Sequence, residues 1–437
     1  MKLFEQLSDK IVSKEAKVAV IGLGYVGLPL AVEFARGGFD TIGIDIDSSR
    51  VGDINRGKSY IPDVSNEDLK KLVMDKSLQA AMDYKVLKLA DAIIICVPTP
   101  LRKTREPDIS FIISTVEKVV KNIRPGHLII LESTTYPGTT EEVILPMLKD
   151  SNLKVGKDFF LAFSPERVDP GNKKWTTKNI PKIVGGITPE CRDIARLLYS
   201  QIIKEVVTVS STKVAEMAKL LENTFRSVNI GLVNELTLMC HKLGVDVWEV
   251  IDAASTKPFG FMPFYPGPGL GGHCLPVDPL YLSWKARLHG FDARFIELAA
   301  QVNSGMAGYV VERISSTLNE HKKPVNGSRI FIIGVTYKKD VSDVRESPAF
   351  EIISQIIERG GIVSYHDPYV PEIEVGKSKF RSVTLNKPIL EVADCVAIIT
   401  DHSSIDYQLV MRNASLIIDT RNVLKGHREA KGKVVRL

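Results

Sequence analysis

The run KVAVIG, residues 17–22, is a short β-branched segment that ends in glycine. It continues at once as Gly22-Leu23-Gly24-Tyr25-Val26-Gly27 and then as LPLAVEFARGG, which has helical spacing and a glycine stop. That order confines the chain to a buried parallel strand, a tight turn and a helix. The first glycine permits the turn, and the second lets a pyrophosphate approach the backbone. The third lets helix and strand pack closely, with the helix N-terminus facing the anion. The next strand-like segment, DTIGIDID, carries Asp45, 23 residues after Gly22, where a carboxylate can bond a ribose 2′-hydroxyl. The combination predicts a dinucleotide site. An acid there repels a 2′-phosphate, so the expected cofactor is NAD rather than NADP. Arg50 is a candidate for the adenosine end, with a solvated surface arginine as the other reading.

The same grammar continues. ADAIIICVPTP and HLIILESTTYPG read as further strands, and near the C-terminus SRIFIIGVTYKKD, GGIVSYHDPYV, ADCVAIITDHS and ASLIIDTRNVL repeat the series. Asp91 lies 69 residues after Gly22, and Asp394 lies 60 after Gly334. Strands alternating with helices imply parallel sheets, so we expect two doubly wound α/β domains, one at each end. The second turn, Gly334-Val335-Thr336-Tyr337-Lys338, does not continue as a dinucleotide fingerprint; this domain keeps the sheet and is expected to bind another nucleotide at its strand ends. Between the two, STKVAEMAKLLENTFRSVNIGLVNELTLMCHKLGV has no proline and places Val214, Met217, Leu221, Phe225 and Val228 along one stripe. This predicts a long helix whose stripe serves the core or a subunit interface, and hence a homodimer or larger homo-oligomer. The expected division is 1–204 for the NAD domain, 205–318 for the helical middle and 319–437 for the second nucleotide domain.

Length and composition narrow the class. A chain of 437 residues is too long for one ordinary core. A formal charge of +5 without a clustered basic run argues against nucleic acid as a partner. Five sparse cysteines, Cys96, Cys191, Cys240, Cys274 and Cys395, argue against a disulfide framework, and no CxxC pair suggests a metal site. Charges interrupt every apolar stretch of MKLFEQLSDKIVSKEAK, and the run Val18–Val32 is too short to span a bilayer. The expectation is a cytoplasmic protein without a membrane partner.

The chemical signal lies in Gly267-Pro268-Gly269-Leu270-Gly271-Gly272-His273-Cys274-Leu275-Pro276-Val277-Asp278-Pro279. If a helical turn starts near Cys274, its thiol and the Asp278 carboxylate share a face. Glycines permit close backbone approach, and a helix N-terminus stabilises thiolate, the setting of an activated nucleophile. The other four cysteines fall in apolar patterns and read as buried and inert. Lys219 and Asn223, one turn apart, could hold an alkoxide or water, or simply form a solvated face. Glu166 in SPERVDPG is a candidate base against an ordinary loop acid, and Thr134 in ESTTYPGTT a strand-end hydroxyl near the cofactor crevice. For His273 a general base and a simple backbone contact both stand.

In order, VIGLGYVGLPLA, ESTTYPGT, SPER, AEMAKLLENTFR, GPGLGGHCLPVDP and GVTYKKDVSDVRESP resemble the UDP-glucose/GDP-mannose dehydrogenase family over nearly the whole chain. The resemblance implies an NAD domain, a helical dimerisation region and a UDP-binding domain. It implies oxidation of the C6 primary alcohol of a UDP-sugar to a carboxylate in two hydride transfers. Cys274 resembles the nucleophile that traps the aldehyde as a thiohemiacetal, later a thioester. Lys219, Asn223 and Asp278 resemble groups that position water and stabilise the oxyanion, and Thr134 and Glu166 resemble partners of that water. By the same resemblance Tyr25, Val26, Thr99, Thr134 and Arg345 join the cofactor contacts. Glu166, Arg167, Val168, Lys219, Asn223, Gly271, Lys338 and Arg421 join the substrate contacts.

Two departures refine this. Where UDP-glucose members usually carry a second glutamate, this chain has Pro170. The loop at 258–273, PFGFMPFYPGPGLGGH, has no arginine and resembles the UDP-N-acetylglucosamine 6-dehydrogenases. UDP-N-acetylglucosamine is therefore the expected substrate; UDP-N-acetylmannosamine, UDP-N-acetylgalactosamine and UDP-glucose are the alternatives. The rival readings are a one-step NAD dehydrogenase of 3-hydroxy acid type and a catalytically silent nucleotide-binding regulator. Counting NADH per substrate separates two, one and none.

Overall fold

The computed structural model describes residues 2–61, 63–102, 104, 106–169, 172, 174–272, 274–426 and 430–437. Contacts divide the chain into two compact units. One runs to Glu222 and takes in Leu280–Gly290; the other comprises Asn223–Pro279 and Phe291–Leu437.

The first unit is built on strands β1 (Val18–Ile21), β2 (Thr41–Ile44), β3 (Leu78–Ala81), β4 (Ala92–Ile95), β5 (Leu128–Leu131), β6 (Phe160–Phe163), β7 (Lys182–Gly186) and β8 (Val206–Thr208). Their order is β3-β2-β1-β4-β5-β6-β7-β8, parallel except for β6 against β7. The apolar runs are continuous because both faces are covered. Val18 and Val20 enter one core with Ile94 and Ile130, while Ala19 and Ile21 enter the other with Ile93, Ile95 and Leu131. Full burial of each such branched side chain stabilises by roughly 1.5–3 kcal/mol. The helix after the glycine turn, Gly27–Arg36, is buried through Leu28, Leu30, Ala31, Phe34 and Ala35.

The second unit contains β9 (Arg329–Ile333), β10 (Ile362–His366), β13 (Cys395–Ile398), β14 (Leu416–Asp419) and β15 (Lys433–Arg436), with a separate hairpin of β11 (Glu372–Val375) and β12 (Ser378–Arg381). Its sheet is parallel throughout, in the order β10-β9-β13-β14-β15. The repetition read from the sequence extends to single hydrogen bonds. Leu23 N donates to Asp45 Oδ2 at 2.8 Å, and Val335 N donates to Asp367 Oδ2 at 2.8 Å. Asp91 accepts from Lys17 N and Asp394 from Arg329 N.

The long helix forms as Thr212–Leu243, and both it and the helix Asp278–Leu288 pass from one unit to the other. Four of the five residues of the predicted stripe are exposed, and Val228 is half-buried. Val214 is 43% exposed, Met217 39%, Leu221 58% and Phe225 46%. Among the described residues no helix is long and apolar enough to cross a membrane.

Candidate active site

In the first unit the glycine turn has the geometry its sequence demands. Gly22 adopts φ +90°, and a Cβ on Gly27 would stand 1.8 Å from the Gly22 carbonyl oxygen. Gly24 differs: an added Cβ there meets nothing within 4 Å. Packing inside the protein does not require glycine at that position, and the backbone there is open to close approach by a ligand. Asp45, at the end of β2, accepts from Leu23 N at 2.8 Å and Asp47 N at 3.0 Å. The Arg50 guanidinium lies 3.6 Å from Asp45 and over the Tyr60 ring, while the Tyr60 hydroxyl donates to Leu23 O at 2.6 Å. Tyr25 and Val26 lead into the helix, with Tyr25 exposed. Thr99 is buried, and its carbonyl accepts from the Tyr281 hydroxyl at 3.0 Å. Turn, acid and open backbone together fit a dinucleotide.

The same unit holds Thr134, directly beyond β5, and the loop after β6 that carries Glu166, Arg167 and Val168. Glu166 Oε1 accepts from Arg167 N at 2.7 Å and Val168 N at 2.8 Å. Its Oε2 faces the Lys182 ammonium at 3.1 Å, and its backbone carbonyl accepts from Lys219 Nζ at 2.7 Å. The Arg167 guanidinium grips Glu222 through two hydrogen bonds and donates a third to Pro181 O. Sequence reasoning missed Lys182, Glu132 and Tyr199, which form a buried cluster around Glu166.

In the second unit the cysteine loop has the predicted turn: Asp278 N donates to Cys274 O at 2.8 Å and Val277 N at 3.1 Å, just before the helix that starts at Asp278. Cys274 is exposed, whereas Cys96, Cys191, Cys240 and Cys395 are buried, as their apolar surroundings implied. Asp278 is buried and accepts from Asn223 Nδ2 at 2.5 Å. The glycines before Cys274 are explained by the lobe they touch. A Cβ on Gly267 would lie 2.7 Å from Arg421 Nη1, and one on Gly271 would lie 2.5 Å from Tyr337 Cβ. Gly272 N donates to Arg345 O at 2.9 Å. The loop thus runs against the β9 turn that carries Lys338 and against Arg421, whose Nε donates to Ile399 O at 2.8 Å. Arg345 makes a bidentate pair with Asp343, 2.7 Å at the closer oxygen.

A further anchor of that turn is His402, fully buried between Asp367 Oδ2 at 3.0 Å and the backbone N–H of Asp340 at 2.9 Å. Burial raises Asp367, but the His402 hydrogen bond and those from Val335 N and Tyr369 N hold it below the ordinary carboxylate range. The acid that stands at the strand end in both units is thus taken by a histidine in the second, which fits the absence of the dinucleotide fingerprint there. His273 and Pro170 lie outside the described residues.

Three family models match in succession, all of the UDP-glucose/GDP-mannose dehydrogenase family: the NAD binding domain over residues 16–203, the central domain over 213–305 and the UDP binding domain over 331–426. The chain is 38% identical over 359 residues to a UDP-N-acetyl-D-glucosamine 6-dehydrogenase of Pseudomonas aeruginosa, covering 82% of this chain and 84% of that protein. It is 34% identical over 422 residues to a UDP-N-acetyl-D-mannosamine dehydrogenase of Methanococcus maripaludis, covering 94% and 93%. The solved structure of a UDP-D-ManNAc dehydrogenase from Pyrococcus horikoshii superposes with a TM-score of 0.88 at 33% identity, covering 96% of this chain and 98% of that one. With the dinucleotide turn and the cysteine loop in place beside these matches, the chain belongs to the UDP-glucose/GDP-mannose dehydrogenase family and is an NAD-dependent UDP-sugar dehydrogenase.

Proposed function

We propose that the chain oxidises the C6 primary alcohol of UDP-N-acetylglucosamine to the carboxylate through an intermediate bound to Cys274. The observation that carries this is the exposed Cys274 heading a turn closed by Asp278, whose carboxylate is held by Asn223. NAD, when bound, accepts the hydride in each of the two oxidations. The chain supplies the rest. Lys219 stabilises the developing alkoxide with a charge fixed by the Glu166 carbonyl. The Cys274 thiolate adds to the C6 aldehyde, forming a C–S bond and a thiohemiacetal. After the second oxidation water attacks the thioester, the C–S bond breaks, and the thiolate leaves with the water oxygen retained in the carboxylate. One alcohol, two NAD and one water give one carboxylate, two NADH and three protons. Asn223 and Asp278 serve the oxyanion and water, and the resemblance gives Thr134 and Glu166 roles as partners of that water. The family resemblance supports a substrate role for Gly271, Lys338, Arg421, Arg167 and Val168, and a cofactor role for Tyr25, Val26, Thr99, Arg50 and Arg345.

Substrate choice rests on the arginine-free loop at 258–273. Relatives of similar identity are named for the N-acetylglucosamine and the N-acetylmannosamine sugars, so epimers are the competition. The test is a panel of UDP-N-acetylglucosamine, UDP-N-acetylmannosamine, UDP-N-acetylgalactosamine and UDP-glucose at matched concentration. The expected outcome is fastest turnover of UDP-N-acetylglucosamine with two NADH per uronate; faster turnover of another sugar overturns the choice, and one NADH per product overturns the chemistry. The same reading makes the protein a homodimer through the exposed stripe of the long helix, divided functionally at 1–204, 205–318 and 319–437. An exposed cysteine that must stay a thiol supports a reducing compartment, and with it a cytoplasmic enzyme.

A further inference from the structure

Beneath the Glu166 loop lies a charged cluster to which the proposed chemistry gives no role. Lys182 opens β7 with its side chain 2% exposed, 2.9 Å from Glu132 Oε2 and 3.1 Å from Glu166 Oε2. Glu132 follows β5, and its other oxygen accepts from the Tyr199 hydroxyl. The lysine also sits over the Tyr199 ring, 5.2 Å from its centre. With the Lys219 bond to the Glu166 carbonyl, one connected path runs Tyr199, Glu132, Lys182, Glu166, Lys219. Burying such charges is costly, and packed apolar side chains would stabilise the fold as well or better. Stability is thus a weak ground for the cluster, and its connection to Lys219 ties it to the candidate site.

We propose that Lys182 is a positioning residue: it fixes the Glu166 carboxylate in place, and so holds rigid the backbone carbonyl that sets the Lys219 ammonium. This rests on the reading of Lys219 as the group that stabilises the substrate alkoxide. The groups facing Glu166 are Lys182 from β7, Glu132 from the end of β5, Cys96 from the end of β4, and Lys219 from the long helix, with the Arg167–Glu222 pair beside it. Burial pushes Glu166 up, yet the Lys182 charge and the N–H groups of Val168 and Arg167 more than offset it and hold it below the ordinary carboxylate range. Burial leaves Glu132 above that range and pushes the Cys96 thiol up, with Glu132 adding to the latter. Glu166 is then an anion whose carboxylate is oriented by Lys182 and by the N–H groups of Arg167 and Val168.

The variants are Lys182→Met and Lys182→Arg, with Glu132→Gln/Lys182→Met as a charge-balanced alternative should Lys182→Met fail to fold. Lys182→Met is expected to leave NAD affinity unchanged and to lower kcat by about 100-fold, the effect of a misplaced catalytic group. It is also expected to move the acid limb of kcat/KM upward, because a buried carboxyl without its cation takes a proton at higher pH. Lys182→Arg should recover most of kcat and return the limb. An unchanged pH profile with near-parent kcat, or an arginine variant no better than methionine, overturns the proposal. Infrared spectroscopy gives a readout independent of turnover. Lys182→Met should gain, over the parent spectrum, a carboxylic-acid band at neutral pH that adding Glu166→Gln removes; no such gain overturns the lock. If the parent yields no NADH from any UDP-sugar, the reaction assignment fails, and the infrared result still decides the lock.

Discussion

Asp45 and Cys274 each tie one atom of chemistry to one choice. Asp45 already accepts two backbone N–H groups, and in the proposed reading its remaining lone pairs meet a ribose diol while its charge repels a 2′-phosphate. Catalytic efficiency with NAD should exceed that with NADP by about 100-fold or more, a few kcal/mol of like-charge contact. Parallel initial rates with the two cofactors check this, and comparable values contradict it. Replacing Cys274 by alanine removes the covalent trap while leaving Gly22, Asp45, Lys338 and Arg421 untouched. NAD binding should remain near normal, some NADH should still form in the first oxidation, and sustained uronate formation should cease. Serine keeps a weak nucleophile, but its alkoxide is harder to form and its ester hydrolyses more slowly than a thioester. Intact-protein mass after incubation with substrate and NAD should then show an adduct in Cys274→Ser and none in Cys274→Ala. Uronate formed by the alanine variant at the parent rate means the chemistry does not pass through sulfur.

At the scale of elements, the long helix Thr212–Leu243 announces itself by its missing proline and its periodicity, but periodicity does not say which body covers the stripe. The structure leaves Leu221 and Phe225 about half exposed. If the proposed dimer forms through this stripe, Leu221→Glu with Phe225→Glu should leave the monomer fold intact and dissociate it, since each buried apolar side chain contributes roughly 1.5–3 kcal/mol at an interface core. Sedimentation at fixed concentration is the measurement; an unaltered dimer moves the interface elsewhere. The strand–turn–helix and its acid were legible because their partners lie close in sequence, Asp45 bonding Leu23 across a span of 22 residues with the glycines between. Cys274 and Asp278 were legible for the same reason, being one turn apart. Lys182 was not. At the head of a strand it reads as an ordinary polar edge, and its partner Glu132 lies 50 residues away, met only when β5 and β7 are brought into one sheet. The glycines at 267–272 were read correctly as sites of close approach, but the surface approached, Tyr337 and Arg421, is set by tertiary packing.

For the whole molecule, stability carries a pH signature traceable to Glu216. This buried carboxyl on the long helix accepts from Gly138 N and from Thr140 N and Oγ1, and burial pushes its pKa up to about 7 from 4.5 against those hydrogen bonds. The folded state holds the proton more tightly than the unfolded chain. Its contribution is therefore fully present below about 4.5 and drains away as pH rises to about 7. Compared with Glu216→Gln, which has no such titration, the parent should lose relative stability across that window, by roughly 3 kcal/mol at most. Calorimetry at both ends checks it: a Tm difference between parent and variant that does not change with pH refutes the assignment.

The glycine loop has one more consequence. It welds Cys274 to the unit that carries Lys338 and Arg421, while Gly22, Gly24 and Asp45 belong to the other. A reaction with two oxidations must discard a spent coenzyme and admit a fresh one while the half-oxidised sugar waits. In the proposed mechanism, a thiol anchored by a loop whose glycines leave no room for a side chain keeps the half-oxidised sugar in place through that exchange.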